Sequence, residues 1–120
     1  MSLLPMILVA IVAIEHLYIL YLEMFRWTAP RTLRTFGLTA EQAEMSKSLA
    51  ANQGLYNGFL AAGLIWGLLY PNADIGRHIE IFFLGCVLVA ALFGGLTAKK
   101  SILLVQGLPA LIALACVLWL

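Results

Sequence analysis

Four apolar stretches, residues 3–25, 49–70, 79–97 and 102–120, leave this chain little choice of solvent. A helix needs about 20 mostly apolar residues to cross the hydrocarbon core of a bilayer, and each stretch is close to that length. Backbone N–H and C=O groups in lipid must be satisfied internally, which favours helices. The chain is 63% hydrophobic and only 11% charged, so polar side chains are too few to clothe a water-soluble bundle. The expected fold is all-α, an integral membrane four-helix transmembrane bundle forming one domain over residues 1–120. Residues 1–5 hold no Lys or Arg, and the apolar run continues past an ordinary signal-peptide core. It reads as a retained first span.

Three connections remain: a long one at 26–48, a short one at 71–78 and a tight one at 98–101. In the long one, Trp27 follows Arg26 where an amphipathic ring suits the membrane–water interface. Pro30 disfavours a helical Ala29 and is expected to end the first helix near there. Thr39-Ala40-Glu41-Gln42 has the form of a capping box, and a helix starting at Ala40 is expected to run unbroken through Lys47 into the second span. Basic residues set the orientation. Arg26, Arg31, Arg34, Lys47, Lys99 and Lys100 fall in the first and third connections, six against the single Arg77 of the middle one. The positive-inside rule then puts both termini outside and connection 26–48 in the cytoplasm. A formal net charge of +1, with no Lys/Arg cluster interleaved with aromatics, excludes nucleic acid as a partner. The expected partner is the lipid bilayer.

Ionisable groups inside a span cost about 2.5–3.5 kcal/mol each and are functional candidates by default. The first span carries Glu15, His16 and Glu23. His16 and Glu23 lie on nearly the same helix face but about 10 Å apart along the axis, so their partners must come from another helix or from water. The second span offers Asn52, Gln53, Tyr56 and Asn57 as a stripe with i, i+4 spacings, and the fourth offers Gln106. Counted from the cytoplasmic end, Glu23 is expected level with Asn52 and Gln53, and His16 level with Asn57. These eight residues, Glu15, His16, Glu23, Asn52, Gln53, Tyr56, Asn57 and Gln106, form the expected ligand-binding layer. Asn and Gln alone often serve only to join membrane helices. Two carboxylates and a histidine exceed what joining needs.

The layer suits a small-molecule or lipid ligand, bound or transported, with Glu15 or Glu23 as a protonatable group. Two other functions fit the same residues. One is an intramembrane enzyme using His16 and a Glu as acid–base pair on an apolar substrate. The other is a structural or partner-binding subunit, with a homo-oligomer among its forms. No catalytic residue, cofactor or metal site is assigned: Walker loops, nucleophile elbows and paired histidines at metal spacing are absent from the sequence. Glu80 and His78, beside Arg77 and Asp74, are expected to be solvated or ion-paired at the outer boundary. Cys86 and Cys116 read as small hydrophobes. Gly54/Gly58 and Gly63/Gly67 mark close helix packing, and Pro109 is expected to kink the fourth span beside Gln106.

The runs Glu15-His16-Leu17-Tyr18, Leu22-Glu23-Met24-Phe25, Trp27-Thr28 and Phe36-Gly37-Leu38 are distinctive, as are Ala51-Asn52-Gln53-Gly54-Leu55-Tyr56-Asn57-Gly58-Phe59-Leu60-Ala61 and Gln106-Gly107-Leu108-Pro109-Ala110. On these the chain resembles the bacterial domain of unknown function 1304 (DUF1304) family across essentially its whole length. The resemblance implies a four-span protein of the bacterial inner membrane and supplies no activity.

Overall fold

The computed structural model describes residues 3–120. Its regular elements are helical: α1 (Leu3–Phe25), α2 (Pro30–Phe36), α3 (Ala40–Met45), α4 (Lys47–Leu69), α5 (Ala73–Thr97) and α6 (Leu108–Trp119), with a π-helical turn at Leu103–Gly107 leading into α6. The all-α class expected from the apolar stretches holds. α1 and α5 are each long and apolar enough to cross a membrane, and Leu103–Trp119 is a shorter apolar helix. α4 runs for 23 residues, but Asn52, Gln53 and Asn57 interrupt its apolar character. The chain groups into two compact units, Glu15–Phe59 and Leu60–Leu120 with the part of α1 up to Ile14.

In the larger unit a core of Val9, Val12 and Ala13, with Leu64, Leu84, Val87, Ala110, Ala113 and Val117, is drawn from α1, α4, α5 and α6. The i, i+3, i+4 and i, i+3, i+7 spacings place one stripe of each helix inward. α5 starts where the Asn72 side chain accepts from the N–H groups of Asp74 and Ile75, at 3.0 and 3.1 Å. The turn before it brings α4 and α5 into backbone contact. A Cβ on Gly76 would run into the Gly67 carbonyl, and one on Gly67 would press on Glu80 Cγ. Glu80, expected to be solvated or ion-paired at the boundary, is not solvated: it is 5% exposed, because this glycine contact closes over it. Arg77 donates from Nε to the Val117 carbonyl (2.8 Å) and from Nη2 to Leu118 (2.9 Å). These are the carbonyls that the end of α6 leaves without helical partners, and a cation there also suits the helix dipole. Before α6, Pro109 cannot donate to Val105, and the ladder widens into a π turn in which the Leu108 N–H reaches Leu103 O. That turn is the form taken by the disturbance expected at Pro109.

The smaller unit is built on short helices. α1 ends at Phe25, and Pro30 opens α2 rather than closing α1, since a first-turn proline loses an N–H that would be unpaired anyway. Ala29 before it is extended, as Pro30 demands. Gly37, at φ 66° and ψ 40°, ends α2 in the left-handed conformation, and the Leu38 N–H turns back to Leu33 O at 2.9 Å. The capping box at Thr39 and Gln42 forms with both bonds at 3.0 Å. The helix it starts does not run unbroken into α4. It stops at Met45, and Ser46 separates the two. The Ser46 hydroxyl donates to Gln42 O at 2.7 Å and accepts the Trp27 indole N–H at 3.1 Å, so the bend point is held by a side chain from outside the helix. Trp27 also packs on Phe36, ring centroids 4.9 Å apart.

Two glycine substitutions on α5 should behave oppositely. Gly76→Ala should destabilise the purified protein by about 1–3 kcal/mol, because its Cβ meets a backbone carbonyl that cannot move aside. At Gly85 nothing lies within 4 Å of an added Cβ, so Gly85→Ala should be neutral or stabilise by up to about 1 kcal/mol through helix propensity. Thermal melts of the two variants beside the parent check both; equal melting of all three contradicts the packing described.

Candidate functional site

The close approach of α1 and α4 in the smaller unit begins at Gly54. A Cβ there would meet Met24 Cγ at 2.7 Å, Glu23 Cβ at 3.0 Å and the Leu20 carbonyl at 3.3 Å, so no larger residue fits without displacement. Gly58, one turn on, faces Leu20. Small residues at this spacing let two helix backbones approach, and here both glycines are used within the chain.

That register delivers Asn57 to Glu23. Asn57 Nδ2 donates to Glu23 Oε1 at 2.7 Å and to the Gln53 carbonyl at 3.3 Å, using both amide hydrogens. The two side chains are 8% and 9% exposed. A short bond from an amide to a carboxyl group across two helices answers the need for a partner that Glu23 had in sequence. Asn57 therefore lies level with Glu23, not with His16. The depth count failed because it entered both helices at the same height, whereas the Gly54 contact fixes the register.

The other expected residues fall into three groups. His16 is buried on the same helix as Glu23, with Nδ1 4.0 Å from Glu15 Oε1, beyond hydrogen-bond range. Glu15 is half-buried, and its Oε1 is enclosed without a hydrogen-bond partner. Asn52, Gln53 and Tyr56 are exposed, with Tyr56 edge-on to Phe59 at 5.6 Å. The inward seam of α4 runs through Ala50, Gly54, Asn57, Ala61 and Leu64, a 4-3-4-3 spacing that leaves positions 52, 53 and 56 on other faces. Gln106 is half-buried in the π turn of the larger unit. Two further polar groups are buried. One is Glu80, placed by the sequence at the outer boundary; the other is Thr32, which sequence reasoning passed over and whose Oγ1 is enclosed without a hydrogen-bond partner. The outward face of α2, Arg31 and Arg34, held the only hint that Thr32 points inward.

Chemically, the Glu23–Asn57 pair has unused capacity. Both N–H groups of Asn57 are engaged, but its Oδ1 and the second carboxyl oxygen of Glu23 make no hydrogen bond among the described residues. Neither is among the wholly enclosed unpaired atoms, so both retain an opening to the surroundings. An amide oxygen beside a carboxyl oxygen can accept from an N–H, an O–H or a cation, and a protonated Glu23 can also donate. Among the described residues no cluster of three His, Cys, Asp or Glu side chains is arranged to hold a metal ion.

Asn57→Leu should lower stability by about 1–3 kcal/mol, because it leaves Glu23 Oε1 desolvated without its donor. In a Glu23→Leu background the same change should cost clearly less. Chemical denaturation of the four proteins measures the coupling, and strictly additive losses contradict a direct bond.

The sequence profile described as "Protein of unknown function (DUF1304)" matches residues 10–118. The chain is 39% identical over 116 residues to an uncharacterized protein, YpaA, of Lactococcus lactis subsp. lactis, covering 95% of this chain and 96% of the relative. No solved structure matches.

Proposed function

The chain belongs to the DUF1304 family, and we propose that this member is a four-span protein of the bacterial inner membrane that binds, and in that setting transports, a small molecule or lipid at a polar site centred on Glu23 and Asn57. The observation that carries the reading is the buried pair itself: a carboxyl and an amide share one short bond while an oxygen of each stays open for a ligand. A purely structural contact between helices has no use for an ionisable group, whose desolvation is costly. His16 and Glu15 extend the site along α1.

The bilayer is supported separately. α5 leaves Phe82, Val89, Leu92, Phe93 and Leu96 exposed along its length, a surface that water does not tolerate and acyl chains do. α4 has the length to cross, and its polar residues lie in the half that carries the site. The bias of six basic residues to one favours connection 26–48 in the cytoplasm and both termini outside.

Two experiments test the reading. In a background without Cys86 and Cys116, Asp74→Cys should react with an impermeant thiol reagent on intact cells and Arg34→Cys should not; the reverse pattern overturns the orientation. Glu23→Gln keeps the acceptor for Asn57 and removes the ionisable group. It should therefore melt like the parent yet lose the small molecules or lipids that mass spectrometry finds retained on the purified parent. An unchanged retained set in Glu23→Gln contradicts the site.

A further inference from the structure

Three arginines in the smaller unit have no partner among the described residues. Arg26, Arg31 and Arg34 are exposed, and among the described residues their guanidinium groups make no ion pair or hydrogen bond. Lys47 differs, lying 3.8 Å from Glu44. Arg31 and Arg34 stand three apart on α2, on the face opposite buried Thr32 and half-buried Phe36, and so project from one side of the helix.

α2 is a firm base for them. Pro30 fixes its start, the left-handed Gly37 fixes its end, and Phe36 packs on the Trp27 ring that Ser46 holds. Immediately before these residues α1 ends on exposed Phe25, with exposed Tyr21 one turn earlier. Arginines beside aromatic side chains at the end of a long apolar helix match the layering of a membrane surface: rings at the acyl boundary, cations at the phosphates. Guanidinium groups without partners among the described residues, on a helix whose Phe36 packs on the Trp27 ring just after α1, are suited to phosphodiester oxygens, which they engage in a forked geometry.

We infer that the outer face of α2 is a docking surface for anionic phospholipid headgroups, with Arg31 and Arg34 as the phosphate contacts and Arg26 beside them. The inference rests on the membrane reading above and deepens it: the surface seats the cytoplasmic connection on the leaflet and sets the height at which the Glu23–Asn57 pair lies. Charge complementarity identifies the occupant, because a zwitterionic headgroup brings its own cation and competes with the arginines for the phosphate.

The test uses the full chain reconstituted in phosphatidylcholine vesicles containing trace spin-labelled phosphatidylglycerol or spin-labelled phosphatidylcholine. The fraction of each label immobilised on the protein is read by electron spin resonance. The parent should prefer phosphatidylglycerol by about fivefold, and the Arg31→Gln/Arg34→Gln variant should lose most of that preference. Raising the salt concentration should weaken the preference of the parent, since exposed charges are screened. This second measurement decides the matter if the double variant folds poorly. A parent without preference, a preference untouched by salt, or one unchanged in the folded double variant overturns the inference while leaving the membrane reading standing. Release of the parent from vesicles by alkaline carbonate would instead sink the membrane reading itself.

Discussion

The contact at Gly54 sets the geometry of everything polar in the smaller unit. With no side chain at that position, α4 comes within van der Waals reach of the Leu20 carbonyl and the Glu23 and Met24 side chains. Only at that separation and register does the Asn57 amide meet Glu23 at 2.7 Å. A slip of one residue would turn Asn57 by about 100° away from α1 and leave a carboxyl group buried among apolar side chains without a donor. Packing and polarity thus select the same arrangement, and the glycine is the feature that lets them agree.

The same principle recurs in the larger unit with different groups. There Gly67 and Gly76 bring α4 and α5 together, and the contact encloses Glu80. Nearby, Arg77 closes the end of α6 by donating to two of its last carbonyls. Helix ends and buried carboxyl groups are the costly features of an apolar chain. In the smaller unit Glu23 takes its partner from α4, and in the larger unit the end of α6 takes its partner from α5. The carboxyl groups differ in their surroundings. Glu23 has an amide donor from another helix and a second oxygen without a hydrogen bond among the described residues; Glu80 has Arg77 one turn earlier on its own helix.

Much of this was legible in the sequence where a local rule applies. The apolar run at residues 3–25 gave the bounds of α1, and the Thr39–Gln42 pattern gave the start of α3, because periodicity and capping depend on neighbours in the chain. The need of Glu23 for a partner from another helix was also readable. Long-range geometry was not. Pro30 reads equally as a stop or as a first residue. The break at Ser46 depends on Trp27, 19 positions away. Asn52, Gln53 and Tyr56 looked like part of the inward stripe because i, i+4 spacing alone does not say which face a neighbour will cover; the glycine seam decided it. Glu80 was expected solvated or ion-paired, and its burial follows from the Gly67–Gly76 contact: spacing marked Gly67 for close packing but did not name Gly76 as its partner.

The central claim is that a carboxyl and an amide from two different helices are bonded to each other inside this apolar chain. Solid-state NMR on the protein in lipid bilayers addresses it directly, by measuring dipolar transfer between the Asn57 side-chain ¹⁵N and the Glu23 carboxyl ¹³C. Direct transfer between the two, abolished in Glu23→Ala, is the expected result. Transfer absent under conditions where the Asn57 side chain does correlate with the Gln53 carbonyl carbon would contradict it.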